Sequence, residues 1–280
     1  MSFSFSIAAA RPPVFERLHD ALVQDLGEAV MWESTPEEPW PEDFYCHSYL
    51  WGISTRAVEM SWLGDSFQVR IMTCSCRQDY ELGLRAVELV AEWSDASIEP
   101  ESGMIMTASQ LRTEFGDEWV ASMVDSGATV IPRMLESGTV AGPLTLPGPE
   151  RDFVIGERVL AELAGPKETF ADRLFAKIRE VRYFDPAGDY FRANRVELTP
   201  DDGDPVTFAV WGPEVRYVLP DVKLIAVPVQ PTIFIPLDVV PELAGEACRR
   251  LDERQLVLEA LEGERWDALV EAARSHAVDI

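Results

Sequence analysis

Side chains that could transfer a proton near neutral pH are scarce in this sequence. Histidine is the usual residue for that role, and the 280-residue chain has three, His19, His47 and His276. None of them stands at the spacing of a metal site or a catalytic triad. His47 directly follows Cys46, and a Cys/His pair is one form of nucleophilic catalysis. Because adjacent residues of a strand point to opposite faces, we expect these two side chains to lie apart.

Motifs of catalysis and cofactor binding are also missing from the sequence. It contains no GxSxG, Walker, Rossmann or HExxH pattern. The run Asp201-Asp202-Gly203-Asp204 lacks the twelve-residue spacing and the final glutamate of a calcium loop, so it predicts a hairpin turn. With 49 acidic residues, chance pairs of carboxylates are expected, and no pair stands out as a glycosidase site. We therefore predict no catalytic residues, no metal site and no cofactor.

Cysteines and basic residues give little further indication of chemistry. The four cysteines, at 46, 74, 76 and 248, are too few for a disulfide-rich secreted domain, and Cys74 and Cys76 are too close for the usual zinc spacing. We interpret all four as reduced. A group of basic residues predicts either an anion site or, more simply, ion pairs with the plentiful acids; its members are Arg173, Lys177, Arg179, Arg182, Arg192 and Arg195.

The segment 32–51 combines acidic and aromatic residues with Pro36, Pro39 and Pro41, which exclude a continuous helix. Aromatic residues are enriched at the centres of protein interfaces, so this segment is a candidate partner-binding surface. The alternative is that Trp32, Tyr45 and Trp51 close the hydrophobic core. The candidate partner-binding residues are Glu37, Glu38, Trp40, Glu42, Asp43 and Phe44.

Net charge limits the possible partners. The chain has 49 acidic and 24 basic residues, a formal charge of -25. Such a surface repels nucleic-acid phosphates and anionic membranes and attracts basic proteins, although acidity can also serve solubility alone. The first ten residues do not resemble a secretory signal, and no run of about 18 apolar residues occurs. We therefore expect a cytoplasmic protein with a basic protein partner, no nucleic acid and no membrane.

Hydrophobic periodicity predicts an α+β fold, with antiparallel β-hairpins covered by helices. Residues 58–62 and 67–71 alternate on either side of Gly64, which predicts a hairpin, and Ser75 with Gln78 predicts a capping box before a helix over 78–93. The amino-terminal residues 2–7 also alternate as a strand, and 14–28 has helical periodicity with Gly27 as its end.

Later segments predict two packed subdomains. Residues 108–115 and 119–125 are expected to be helical, 128–134 a strand, and 169–182 a helix. Three antiparallel strands are predicted at 189–198, 205–211 and 214–219, short strands at 223–229 and 232–235, and helices at 241–251, 253–261 and 264–273. A Gly/Pro-rich stretch at 138–150 predicts the connection between subdomains 1–137 and 151–280.

Residues 67–103 resemble an uncharacterised bacterial family that is known as a domain of unknown function, and whose members have a similar length. The likeness includes the alternating strand at 2–7, the strand at 69–73 followed by 77–81, the later 101–103, and a strand ending in Leu-Pro at 217–220. Cys74 stands where the family pattern has proline. The resemblance implies a bacterial cytoplasmic protein and transfers no site residues.

These features together favour a non-enzymatic binding protein, similar in type to an immunity protein that neutralises a basic secreted toxin such as a nuclease. The acidic charge, the missing catalytic motifs and the acidic, aromatic segment are the reasons. The alternative is an enzyme acting on a small ligand, whose acid/base groups only the fold brings together. A pocket in which two carboxylates and an arginine converge would favour that alternative.

Overall fold

The computed structural model describes residues 2–138, 141–199 and 204–280. The fold is α+β, as predicted, with helices and several mainly antiparallel sheets. The chain divides into two compact units, one of Met1–Phe153 with Leu160–Phe184 and one of Val154–Val159 with Asp185–Ile280. The chain changes unit near residues 153 and 184, whereas the Gly/Pro-rich stretch proposed as the connection, 138–150, falls inside the first unit.

The first unit is built on a six-stranded antiparallel sheet. Its strands lie in the order β2-β3-β4-β5-β1-β6, so the predicted hairpin, β4 and β5, is at the centre. The strands are β1 (Phe3–Ile7), β2 (Val30–Trp32), β3 (Tyr45–Leu50), β4 (Val58–Trp62), β5 (Phe67–Ile71) and β6 (Ile98–Pro100).

Alternation along the central hairpin places one face on the core, as predicted. Phe67, Val69 and Ile71 are fully buried, and the turn residue Gly64 has φ 89°. Helix α2 (Arg77–Ser94) covers this face. Gly83 allows the close approach, because a Cβ there would lie 2.7 Å from the Ile71 side chain.

The cap of α2 differs from the prediction by one residue. The N-cap is Cys76, not Ser75, and the Asp79 side chain completes the capping box by accepting from the Cys76 N–H. The same carboxylate also accepts bonds from the N–H groups of residues 55 and 56, so the cap of α2 is tied to the β3–β4 connection.

The other helices of the first unit confirm most predictions and correct one. The predicted strand at 128–134 is wrong, because these residues continue α4. Val120, Ala128 and Ile131 are its buried residues, and their spacing is helical rather than alternating. These helices are α1 (Phe15–Leu26), α3 (Ala108–Glu114), α4 (Asp117–Glu136) and α6 (Phe170–Arg182).

Three short elements lie near the points where the chain changes unit. They are β7 (Leu144–Leu146), β8 (Phe153–Ile155) and α5 (Glu157–Glu162).

The second unit holds two four-stranded sheets, β10-β11-β13-β14 and β15-β16-β12-β9. Their strands are β9 (Phe191–Arg192), β10 (Val196–Leu198), β11 (Val206–Val210), β12 (Tyr217–Leu219), β13 (Leu224–Val227), β14 (Ile233–Pro236), β15 (Cys248–Arg250) and β16 (Leu256–Leu258). Two short helices, α7 (Val240–Ala244) and α8 (Gly263–Arg274), complete it.

Three predictions for this unit are wrong in whole or in part. The helix expected at 241–251 ends early, because its last residues form strand β15 (Cys248–Arg250). The strands expected at 189–198, 205–211 and 214–219 do not form one antiparallel set, because β12 joins a different sheet from β10 and β11. The helix expected at 253–261 is instead β16, whose three residues are all buried; a short apolar run does not distinguish strand from helix. The turn predicted at 201–204 lies largely outside the described residues.

Candidate functional site: an acidic loop and a polar pocket

Residues 33–44, called the acidic loop here, connect β2 to β3 in the first unit. Its central aromatic residue, Trp40, is 2% exposed. The Trp40 ring packs edge-on against Phe67, with centroids 5.1 Å apart, and against Phe15 at 6.2 Å. Trp40 therefore fixes the loop to the core and offers little surface to a partner.

Backbone contacts hold both ends of the acidic loop. The Glu33 N–H donates to the His47 carbonyl at 3.0 Å, and the Asp43 N–H donates to the Trp62 carbonyl at 3.0 Å. The Glu38 carboxylate accepts a bond from the Phe15 N–H, the first residue of α1, where a negative charge is favourable. The loop is thus tied to a strand and to a helix terminus.

The four acids of the predicted site are all exposed, namely Glu37, Glu38, Glu42 and Asp43. Within the described part of the chain, none of them forms an ion pair with a basic side chain. Phe44 is half-buried and packs against the core. The structure thus leaves the predicted acids on the surface and removes Trp40 from it.

The alternative prediction was that Trp32, Tyr45 and Trp51 close the hydrophobic core, and it is correct for Trp32 alone. Trp32 is half-buried and packs against Phe15 at 4.9 Å. Tyr45 and Trp51 are 52% and 39% exposed, so they do not close the core.

A second feature of the first unit, called the polar pocket here, is a cavity of about 260 Å³. It lies beside β3 and β4, and half of its eight lining residues have titratable side chains. The lining residues are Glu33, His47, Arg56, Ala57, Met72, Pro147, Gly148 and Asp152.

His47 is held between two carboxylates. Its Nδ1 lies 3.1 Å from Glu33 and its Nε2 lies 3.7 Å from Glu59, which is its cross-strand neighbour in the β3–β4 register. Hydrogen bonds to Glu33 and then Glu59 raise the pKa of His47 to about 9. The imidazole is therefore protonated at neutral pH, which makes it a hydrogen-bond donor and not a general base.

Arg56 supplies a second cation to the pocket. Its Nη1 donates to the Thr73 carbonyl at 3.1 Å, whereas its buried Nε has no hydrogen-bond partner. Burial lowers the pKa of Arg56, and the charges of Cys74, Asp79 and Asp152 partly oppose that. Among the described residues no carboxylate forms an ion pair with this guanidinium.

The backbone of Arg56 is positioned by a fully buried carboxylate. Oδ2 of Asp79 accepts bonds from the N–H groups of Thr55, Arg56 and Cys76 and from the Thr55 hydroxyl, at 2.9–3.1 Å. Burial raises the pKa of Asp79. This carboxylate joins the β3–β4 connection to the start of α2, so the two segments beside the pocket are held together.

The wall of the pocket formed by 147 and 148 is held by the buried Arg182. Its guanidinium donates to the carbonyls of Leu146, Pro147 and Arg151 at 3.0–3.2 Å. A Cβ at Gly148 would lie 1.4 Å from Nη1 of Arg182, so only glycine leaves room for this contact.

Three members of the basic cluster predicted from sequence, Arg173, Lys177 and Arg182 on α6, are occupied within the protein. Lys177 pairs with Glu162 and Glu180, and Arg173 donates to the carbonyls of Leu163 and Pro166. Arg182 binds carbonyls as described. Neighbouring acids and backbone oxygens therefore occupy these cations.

The cysteines near the pocket are poor nucleophiles. Cys46 is fully buried on the opposite side of β3 from His47, as the alternation predicted, and burial raises its pKa. Burial also raises the pKa values of Cys74 and Cys76 to about 12. Because the thiolate is the reactive form, none of them is activated.

The described residues form neither a metal site nor a membrane-spanning helix. They contain no group of three or more His, Cys, Asp or Glu side chains that could hold a metal ion. No described helix is both long and apolar enough to cross a bilayer.

Comparison with known proteins identifies no relative. No family model matches the chain, and neither a curated protein nor a solved structure does. The resemblance over residues 67–103 therefore stays a prediction, and function has to be argued from the geometry above.

Sequence inspection missed the polar pocket, although one signal was present. The β3–β4 and β4–β5 pairings align His47 with Glu59 and Glu59 with Arg70 on the solvent side of the sheet. If the register of these strands had been predicted from the sequence, it would have placed His47, Glu59 and Arg70 side by side. Arg56 and Asp152 lie nearly a hundred residues apart in the chain, and only the fold shows that they share a cavity.

Proposed function

We propose that this chain is a non-enzymatic, acidic protein that binds a basic protein partner through the acidic loop. The most specific form of the proposal is a bacterial immunity protein that acts in the cytoplasm and neutralises a basic toxin of the nuclease type. The observation that carries it is the set of four exposed carboxylates without basic partners in the described structure. They stand on a loop that Trp40 and Glu38 hold in place.

Carboxylates that have no basic partner within the protein can form ion pairs with a cationic surface of another protein. Some other acids of the first unit are already engaged, as Glu81 and Glu88 are with Arg112. A carboxylate without an internal partner can instead pair with lysine or arginine on another protein, and a nuclease presents such residues where it binds phosphate. Like charges on the loop also steer a basic partner towards it and speed association.

Because the loop is anchored, association with a partner costs less conformational entropy. A segment that is ordered before association loses less conformational freedom when the complex forms. Trp40 in the core and the backbone bonds at Glu33 and Asp43 provide this order, so the six predicted residues divide into anchors and contacts. Trp40 and Phe44 anchor the loop, and Glu37, Glu42 and Asp43 contact the partner. Glu38 has both roles, because its carboxylate accepts from the Phe15 N–H and is also exposed.

The test is capture of partners from native lysate by tagged wild-type chain and by two variants of equal charge. The loop variant carries Glu37→Gln, Glu38→Gln, Glu42→Gln and Asp43→Asn. The control variant carries Glu114→Gln, Glu118→Gln, Asp125→Asn and Glu136→Gln, which change exposed acids of α3 and α4 that form no ion pair. Each variant loses four of the negative charges, so the formal charge rises from -25 by the same amount.

The proposal expects wild type and control variant to capture the same basic protein, in a salt-sensitive manner, and the loop variant to lose it. Capture by all three proteins to the same extent would contradict the loop assignment. If the wild-type chain captures no protein from cells that express the genes next to its own, partner binding itself is contradicted.

A second candidate function is the binding of a small ligand, which the enzyme alternative requires. The observation that favours it is the polar pocket, where Glu33 and Asp152 line one cavity with Arg56. Its volume is slightly below the usual range of small-molecule sites. His47 is held protonated and the cysteines are not activated, so the geometry favours ligand binding over a chemical step.

A further inference from the structure

One edge of a sheet in the second unit is uncovered. Strand β10 is the end strand of the sheet β10-β11-β13-β14, and all of its residues are exposed. At the opposite edge, the Phe234 carbonyl of β14 accepts a bond from the Val278 N–H at 2.8 Å. Within the described part of the chain, no backbone bond of this kind reaches the outer side of β10. An edge strand with free backbone groups is a template for pairing with another strand.

The direction of the backbone groups on β11 shows which groups of β10 face outward. The Thr207 carbonyl accepts a bond from the Lys223 N–H at 3.1 Å, so residue 207 points to the β13 side. Because these groups alternate along a strand, Phe208 points to β10, where it lies opposite Val196. Val196 is thus bonded to β11, and the next residue, Glu197, directs its N–H and its carbonyl to the uncovered side.

The outer face of this sheet is apolar. The register of the four strands places only apolar residues on it, of which Val196, Leu198 and Val210 are 39–43% exposed. Phe208 and Phe234 are half-buried there, with ring centroids 5.5 Å apart. A strand that has an apolar residue at every second position would extend this face. Strand β10 itself has this pattern, so a second copy of the chain can supply such a strand.

Two opposite charges flank Val196. Arg195 immediately precedes β10 and Glu197 lies within it; both are exposed, and neither forms an ion pair with a described residue. If two copies of β10 pair antiparallel with Val196 at the centre, Arg195 of each copy lies opposite Glu197 of the other. Opposite charges directly across two strands attract. A pairing centred on Glu197 would instead place like charges opposite each other, so the charges select one register.

We propose that two copies of this chain form a twofold-symmetric dimer by antiparallel pairing of their β10 strands, centred on Val196. The pairing joins the two sheets into one continuous sheet. A single short strand buries less than the usual interface of about 800 Å² per partner, and the formal charge of -25 opposes self-association. The dimer is therefore weak and is strengthened by salt. The inference concerns the second unit and does not depend on the acidic loop.

The test is sedimentation equilibrium of the full chain at loading concentrations from about 10 µM to about 1 mM. The buffer contains about 0.15 M salt, which screens the repulsion between the two acidic chains. The proposal expects the average mass to rise from that of a monomer towards that of a dimer as the concentration increases. A chain that stays monomeric over the whole range would overturn it.

Single charge reversals then test the register. Arg195→Glu and Glu197→Arg each place like charges opposite each other at both cross-strand pairs, so each is expected to weaken the dimer at least about fivefold. Wild-type association in either variant would overturn the proposal. Glu197→Arg also reduces the net negative charge, so a stronger dimer in this variant would show that net charge alone controls association, and would likewise overturn it.

A mixture of the two single variants restores both pairs, because the two glutamates of one chain then face the two arginines of the other. The proposal expects mixed dimers with an affinity close to that of wild type. A mixture that associates as weakly as the single variants would overturn it. Arg265→Glu is the matched control for Arg195→Glu, since it changes the charge equally at an exposed position of α8 that forms no ion pair with a described residue. An equal loss of association in this control would also overturn the proposal.

Discussion

Removal of the buried Asp79 carboxylate should be one of the most damaging single changes in the first unit. Oδ2 of Asp79 accepts bonds from three backbone N–H groups and one hydroxyl. The Asp79→Ala variant leaves the three N–H groups without this acceptor in a fully buried position, whereas the Thr55 hydroxyl can still donate to the Cys74 carbonyl at 2.8 Å. Each unsatisfied buried donor costs about 1–3 kcal/mol. Because the donors share one site and relax together, we expect a total loss of about 3–5 kcal/mol in the free energy of unfolding.

The Asp79→Asn variant separates lost acceptors from lost charge. Its amide oxygen still accepts bonds from the same donors, so we expect a loss of about 1–2 kcal/mol, smaller than that of Asp79→Ala. Asp125→Ala, at an exposed position of α4, is the surface control and should change stability by about 0.5 kcal/mol or less.

Urea unfolding followed by tryptophan fluorescence measures these differences. Six of the eight tryptophans lie in the first unit, so the signal reports mainly on the unit that contains Asp79. A loss below about 1 kcal/mol for Asp79→Ala, or equal losses for Ala and Asn, would refute the idea that this carboxylate holds the β3–β4 connection to α2.

Three further predictions follow from the same unit. Trp40→Ala should cost about 3–5 kcal/mol in urea unfolding, because a fully packed ring is removed; a loss below about 1 kcal/mol would show that Trp40 does not anchor the acidic loop. Gly148→Ala should destabilise the unit by about 1–3 kcal/mol, because the new Cβ displaces the Arg182 guanidinium, and unchanged stability would contradict that contact. His47 has a pKa raised from 6.5 to about 9, so its stabilisation is complete below pH 6.5 and is lost as the pH rises through about 9. Unfolding measured across this range should show a smaller decline for His47→Gln than for wild type, and equal declines would contradict the ion pairs of His47.

The elements that sequence predicted well are those with long, regular periodicity. The central hairpin alternates over five residues on each strand, and α2 carries an apolar stripe over several turns. Both bury one face, so local pattern and tertiary packing agree. The predicted N-cap of α2 was wrong by one residue. The observed cap depends on the Asp79 carboxylate, which also accepts bonds from residues 55 and 56, and these contacts are not visible in the local sequence.

Short apolar runs were predicted less well, since tertiary contacts decide them. Residues 128–134 were expected to form a strand but continue a twenty-residue helix, and residues 256–258 form a buried strand within an expected helix. The same distinction applies to the candidate sites. The acids of the loop could be predicted because they are adjacent in the chain, whereas burial of Trp40 depends on Phe15 and Phe67.

The most direct test of the proposed function is the association rate between the captured basic protein and the chain at several salt concentrations. If the four acids of the loop steer the partner, wild type and the α3–α4 control variant should associate at similar rates, which fall as salt increases. The loop variant should associate more slowly and depend less on salt. Equal rates and equal salt dependence for the loop and control variants would show that net charge alone attracts the partner, and would contradict binding through the acidic loop.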